Sequence, residues 1–291
     1  MKLLNYLKLM RIKHYIKNIL IFLPLIFSLN FKNINNTITV FIGFFVFSIV
    51  CSIVYIINDI QDKEKDKNHS KKCKRPIACG DVTEKEAYIL AITLLILAVL
   101  IIIFIKINYI SIMLLGIYLI LNIIYTKGLK NIPIVDVLIL ASGFALRIVF
   151  GATLINVEVS KWLYLTMISF SFFLSFGKRK SELEESENYG TNLREVLKYY
   201  NQNFLNQNMF LYLTLTIVFY SMWCVDEITV GRFETKNLSF TVPLVMVICM
   251  KYNLNLEKKS YGDPVEILLS DRVLIALIIL YILIMAGIIL L

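Results

Sequence analysis

Asn58, Asp59, Asp62 and Asp66 stand directly after an apolar run that ends at Ile57. Acidic residues three and four positions apart stack along one face of a helix, with Asn58 one turn ahead of Asp62. Three carboxylates on one face repel one another, and a hard divalent cation offsets that repulsion best. Mg²⁺ is usually held through one or two carboxylates together with substrate phosphates. Lys63, Lys65 and Lys67 interleave with the acids, and Lys71, Lys72, Lys74 and Arg75 follow. Carboxylates for a metal beside cations for phosphate describe a diphosphate-handling site. A solvated, mixed-charge loop would carry the same residues, and charge alone does not separate the two.

Local chemistry around this run is equally two-sided. Pro76 restricts Arg75 to an extended conformation and Gly80 permits a tight turn, which would present the Arg75 guanidinium rigidly to a phosphate. An ordinary break between helices would look the same. Thr83 and Glu86 have the spacing of a capping box and mark a helix start. A second polar stretch, 177–187, holds Lys178, Arg179, Lys180, Glu182 and Glu184. Pairs four apart, Lys178 with Glu182 and Lys180 with Glu184, suit a salt-bridged helical extension. The three cations at the end of a span also suit an anionic headgroup or a phosphate. Arg194, Lys198, Tyr199 and Tyr200 read as an interfacial helix. Tyr125, Lys127 and Lys130 close another span. Asp136 and Arg147 lie within a span, where charge is expensive. Eleven residues apart, they cannot meet on one straight helix, so each needs a partner elsewhere. Asp263, Pro264 and Glu266 have the pattern of a capped short helix before the last span.

The elements that must position these residues are membrane helices. Hydrophobic residues make up 58% of the 291, and mean hydropathy is +0.72. The apolar blocks are continuous rather than alternating, which favours helices over barrel strands. The expected spans are 18–32, 38–57, 87–105, 109–126, 133–154, 160–176, 208–225, 239–253 and 273–291. Nine spans leave little chain for anything else, so the expectation is one all-α integral membrane domain over 1–291, a nine-transmembrane-helix bundle. The loops at about 58–86 and 177–207 would carry the active site.

With the N-terminus inside, 24 of the 30 Lys and Arg residues fall on inner segments and five on outer ones. That asymmetry places the acidic run at the cytoplasmic face of a multi-pass inner-membrane protein. It also assigns the net charge of +9 to topology and anionic headgroups rather than to nucleic acid. The first 17 residues read as an amphipathic interfacial segment, not a cleavable leader. Five cysteines, three of them in spans (Cys51, Cys224, Cys249), imply no disulfide framework. Cys73, Cys79 and His69 have poor spacing for zinc, and two histidines make haem ligation improbable. Few ionisable residues inside the spans argues against an ion-coupled transporter.

Asn58-Asp59-x-x-Asp62-x-x-x-Asp66, followed by Arg75-Pro76-Ile77-Ala78, resembles the first aspartate motif of the UbiA superfamily of membrane prenyltransferases. The resemblance covers almost the whole chain and implies a UbiA-type bundle. Typical members carry a second Asp-rich motif between the sixth and seventh spans. Here that place holds Gly177-Lys178-Arg179-Lys180-Ser181-Glu182-Leu183, without aspartate. This departure is similar to the branch that transfers phosphoribosyl to decaprenyl phosphate. Lys17-Asn18, the segment from Ala141 to Arg147, and the segment from Gly262 to Leu268 resemble the same branch.

The resemblance implies an enzyme that moves 5-phosphoribosyl from 5-phosphoribosyl-1-diphosphate to a polyprenyl phosphate, with release of diphosphate. Asn58, Asp59, Asp62 and Asp66 would hold Mg²⁺, with the three aspartates as the catalytic set. Because the acceptor is already an anion, it needs cations more than a base. The expected substrate-binding residues are Lys17, Asn58, Arg75, Lys178, Arg179 and Glu182, with Tyr125, Lys130 and Arg147 as weaker members. A homo-oligomer is allowed. The rival is an ordinary prenyltransferase acting on an aromatic acceptor, which would need the missing second motif.

Overall fold

Within a bilayer a backbone must satisfy its own hydrogen bonds, and all regular elements among the described residues are helical. The protein, seen in a computed structural model, is described at residues 2–68, 72–189, 194–258 and 264–290. Its α-helices are α1 (Lys2–Leu9), α2 (Leu23–Phe27), α3 (Ile34–Gln61), α4 (Lys63–Lys67), α5 (Glu84–Phe104), α6 (Tyr109–Lys127) and α7 (Val135–Leu154). The second half holds α8 (Lys161–Tyr189), α9 (Gln202–Val225), α10 (Glu227–Phe233), α11 (Val242–Lys258), α12 (Pro264–Ser270) and α13 (Arg272–Leu290).

Helix starts follow local capping chemistry. Thr83 and Glu86 form the expected capping box at α5. Asn33, Asn108, Asn201 and Asp226 accept backbone N–H bonds at the starts of α3, α6, α9 and α10. Asp271 accepts from Val273 and Leu274 at the start of α13. Pro264 and Glu266 open α12 as the sequence suggests, while Gly262, Asp263 and His69 lie outside the described residues.

Seven helices among the described residues are long and apolar enough to cross a membrane. Nine were expected, and the two that differ have physical reasons. The segment expected as span 18–32 is a 3₁₀ helix over Ile12–Phe22, then α2, then a 3₁₀ turn at Asn30–Lys32. Pro24 has no N–H and crowds the carbonyl four residues back, which kinks or breaks an α-helix, and here it stands in the first turn of α2. The segment expected as span 160–176 is helical, but α8 continues through Tyr189 and so takes in the charged stretch.

The chain divides into two compact units. The first comprises 1–132 and 146–158. One of its cores gathers Phe47, Val50, Val54, Tyr118 and Phe150, and another gathers Leu9, Ile53, Ile56, Ile77, Ala87 and Leu94. Gly151 lets α7 approach the Ile12–Phe22 segment so closely that a Cβ there would collide with the Ile21 carbonyl. The second unit comprises 133–145 and 159–291, with a core of Phe173, Phe176, Leu205, Met209, Tyr252 and Leu256. α7 contributes residues to both units.

Candidate active site

In the first unit, the aspartate run sits where α3 outlasts its apolar stretch. The helical ladder continues, with the Asp62 N–H donating to the Asn58 carbonyl at 2.9 Å and the Asp66 N–H to the Asp62 carbonyl at 2.8 Å. Asp62 therefore ends α3 and leads into α4, and the expected one-face spacing is present. Asp59 and Asp66 are only 2% and 4% exposed, a depth that ionised carboxylates reach only with partners.

Cations from three other segments meet the run, Arg75 and Arg11 on the two buried aspartates and Lys130 on Asp62. Arg75 Nη1 donates to Asp66 Oδ2 at 2.6 Å and to Asp59 Oδ1 at 3.1 Å. Arg11 Nη2 donates to the same Asp59 oxygen, and its guanidinium lies 4.8 Å over the Tyr55 ring. Lys130 Nζ donates to Asp62 Oδ1 at 3.1 Å. Thr126 Oγ1 donates to Asn58 Oδ1 at 2.5 Å. A turn fixes the backbone at Arg75, whose carbonyl accepts from the Cys79 N–H while the Pro76 carbonyl accepts from Val82, each at 2.9 Å. Gly80 closes that turn with φ at +86°, in the left-handed region that glycine occupies without strain.

This donor set suits a hard cation. Asn58, Asp59, Asp62 and Asp66 offer only oxygen, and a magnesium ion keeps several waters and leans on substrate phosphates rather than on an all-protein cage. Among the described residues no three His, Cys, Asp or Glu side chains converge on a point that could hold a metal ion, and Asp59, Asp62 and Asp66 each meet a cation instead.

Deeper in the first unit, Arg147 is 5% exposed and its Nε donates to Asn18 Oδ1 at 2.7 Å. Its Nη2 lies 3.3 Å from the Tyr118 hydroxyl, and the guanidinium rests 5.2 Å from both the Phe47 and Tyr118 ring centres. Asn18 Nδ2 also donates to Ser48 Oγ at 2.9 Å. Cation–π contacts and neutral oxygens thus hold a charge that the bilayer would otherwise penalise.

In the second unit, the other intramembrane charge is paired. Arg179 Nε donates to Asp136 Oδ2 at 2.5 Å, both side chains being fully buried. Its Nη1 donates to Glu182, and Arg194 Nε lies 3.7 Å from the same Glu182 carboxylate. Tyr200 completes the chain, donating to Asp136 Oδ1 at 2.6 Å and accepting from the Ile134 N–H at 2.7 Å. Lys180 is buried against Glu257, with Glu184 at 3.9 Å. Glu182 lies beyond the apolar part of α8. Burial alone would raise its carboxyl, but Arg179, Arg194 and Lys178 outweigh that and hold it down at about 2. Burial, reinforced by the hydrogen bond to Asp136, pushes the Tyr200 phenol well up.

Of the residues expected from sequence, Asn58, Asp59, Asp62, Asp66, Arg75 and Lys130 come together in one cluster. Tyr125 is half-buried, one residue from the Thr126 that reaches Asn58. Lys17 is half-buried beside Asn18, itself the partner of Arg147. Arg179 and Glu182 are bonded to each other in the second unit, and Lys178 beside them is half-buried. Sequence reasoning missed Arg11 and Thr126. Arg11 was visible only as one of five cations near the N-terminus, and Thr126 as an ordinary span residue.

The profile of the UbiA prenyltransferase family matches residues 19–252. The chain is 31% identical over 239 residues to the decaprenyl-phosphate phosphoribosyltransferase of Mycolicibacterium smegmatis, covering 80% of this chain and 74% of that one. With the decaprenyl-phosphate phosphoribosyltransferase of Mycobacterium tuberculosis it shares 29% identity over 273 residues, 92% of this chain and 88% of that one. Among solved structures, a UbiA homolog from Archaeoglobus fulgidus bound to DMAPP and Mg²⁺ superposes with a TM-score of 0.70 at 16% identity, over 98% of this chain and 99% of that one. A digeranylgeranylglyceryl phosphate synthase gives 0.68 at 20% identity, over 100% and 99%.

Proposed function

Because the chain belongs to the UbiA prenyltransferase family, we propose that it transfers 5-phosphoribosyl from 5-phosphoribosyl-1-diphosphate to a polyprenyl phosphate of the decaprenyl type, releasing diphosphate. The observation that carries this reading is an asymmetry in its polar groups. The aspartate run is complete, whereas 177–183, where a second acidic motif would stand, is built from Lys178, Arg179, Lys180 and Glu182. One acidic centre suits one diphosphate, and a cationic stretch suits an acceptor that already bears its phosphate. The named relatives, similar over 80% and 92% of the chain, act on that class of lipid by their names.

Mg²⁺ bound through Asn58, Asp59, Asp62 and Asp66 would supply charge stabilisation for the departing diphosphate. The protein's own side chains do the rest. Arg75 and Lys130 bind phosphate oxygens of the donor, with Tyr125 and Arg147 as supporting members. Lys178 receives the acceptor phosphate, and Lys17 is a further phosphate ligand in the first unit. Arg179 shares that role only by leaving Asp136, so its first task is to fix the part of α8 on which Lys178 sits. The acceptor phosphate attacks without a general base, since it is already ionised.

The site faces the cytoplasm of the inner membrane, by the positive-inside bias. The 12–32 segment and the 161–176 stretch complete nine crossings, and anionic headgroups meet the inner cations. The assay is direct: membranes containing the protein receive radiolabelled phosphoribosyl diphosphate, polyprenyl phosphate and Mg²⁺, with an EDTA control. Metal-dependent label in the lipid phase supports the reading. Prenylation of an aromatic acceptor from a prenyl diphosphate, without such label, would replace it.

A further inference from the structure

Each of the three aspartates already has a cation on it. Arg75 Nη1 bridges Asp59 and Asp66, Arg11 also holds Asp59, and Lys130 holds Asp62. Three carboxylates face three cations, so the cluster is charge-balanced before any metal arrives. The bridging position matters most, because one nitrogen at 3.1 and 2.6 Å from two carboxylates stands where a bridging cation would stand.

Resting on the reading of this cluster as a Mg²⁺–diphosphate centre, we propose that Arg75 is a place-holder cation. It keeps Asp59 and Asp66 together before the metal binds, and passes to the donor's diphosphate when the metal takes the carboxylates.

Burial gives the first reason. Asp59 and Asp66 are too enclosed to wait as bare anions, so some positive group must attend them throughout the cycle. Competition gives the second. A metal held by the same carboxylates would displace the guanidinium from them. The third is that a displaced guanidinium, still three-quarters enclosed, needs an anion in turn. Diphosphate arriving with the metal provides one in bidentate-ready form. The anchored turn at Arg75 to Val82 lets the side chain swing while its backbone stays put. Metal and diphosphate therefore bind as a cooperating pair, and the coupling is reciprocal.

The test titrates Mn²⁺ into the full-length protein in nanodiscs, with free Mn²⁺ read by electron paramagnetic resonance. Inorganic diphosphate is present or absent, and Mn²⁺–diphosphate complexation in protein-free nanodiscs is subtracted. In the wild type, diphosphate tightens Mn²⁺ binding about tenfold or more. In Arg75→Gln, Mn²⁺ alone binds more tightly than in the wild type, and the diphosphate enhancement falls towards onefold. Arg75→Lys keeps the charge without the planar fork and gives a reduced enhancement, which covers the case of a poorly folded Gln variant. An enhancement equal to wild type in both variants overturns the place-holder. If that happens while the wild type still labels lipid with phosphoribosyl, only this inference falls. If the wild type binds neither Mn²⁺ nor diphosphate and labels no lipid, the proposed function falls with it.

Discussion

Arg179 and Asp136 form a fully buried ion pair, with Arg179 Nε 2.5 Å from Asp136 Oδ2. The pair joins the start of α7 to the middle of α8, just past its apolar stretch, within one unit. Tyr200 closes the other carboxylate oxygen and Glu182 takes another guanidinium nitrogen. A cation at the end of a span is thereby committed to position rather than exposed to solvent, and the adjacent Lys178 inherits a fixed platform.

Removing one member should therefore cost far more than removing both. Arg179→Met leaves the buried Asp136 without its cation and should destabilise by about 3–5 kcal/mol, and Asp136→Asn, which leaves Arg179 still paired with Glu182, should destabilise by less. The double variant Asp136→Leu with Arg179→Met should recover a large part of that loss. Thermal melting in detergent micelles would show it. Additive losses in the double variant would mean that the pair is not coupled.

Acid should expose the Glu182 contribution. Its folded carboxyl is held at about 2 by Arg179, Arg194 and Lys178, below the ordinary value of about 4.3 for an unfolded chain. A depressed carboxyl stabilises the fold above the unfolded value, and that stabilisation is lost as pH falls through the folded value. The stability difference between wild type and Glu182→Gln should be largest above about pH 5 and should shrink towards pH 2. At neutral pH the contribution is up to about 3 kcal/mol. A difference that does not change with pH would refute the assignment.

Two glycines separate close approach from chance. Gly151→Ala would drive a Cβ into the Ile21 carbonyl and should destabilise by about 1–3 kcal/mol. Gly116, inside α6, has nothing within 4 Å of the point a methyl group would occupy, so Gly116→Ala should be neutral or stabilise by about 0.5–1 kcal/mol. Paired melting curves decide this, and equal effects at the two positions would contradict the packing described for α7.

Much of this was legible because it is local. Three- and four-residue spacing put Asp59, Asp62 and Asp66 on one face, and the Thr83–Glu86 box announced α5. Intramembrane charge predicted a separate partner for Asp136 and for Arg147, and each has one. What stayed hidden depends on distance along the chain. Nothing near Arg11 indicates that it closes on Asp59, 48 residues away, or that Thr126 reaches Asn58, 68 away. Lys178, Arg179 and Lys180 read alike as surface cations, yet Arg179 and Lys180 are buried in ion pairs. Pro24 was in plain view, but the apolar run continues on both sides of it and so reads as one span.

The central claim is that the aspartate run serves phosphoribosyl transfer, and Asp62 tests it most directly. It is the most exposed of the three aspartates and has Lys130 as its ion-pair partner, so its loss should leave the fold intact. Label transfer from phosphoribosyl diphosphate to polyprenyl phosphate should fall about a hundredfold or more in Asp62→Asn membranes containing equal amounts of protein. Transfer at the wild-type rate in that variant would contradict the account.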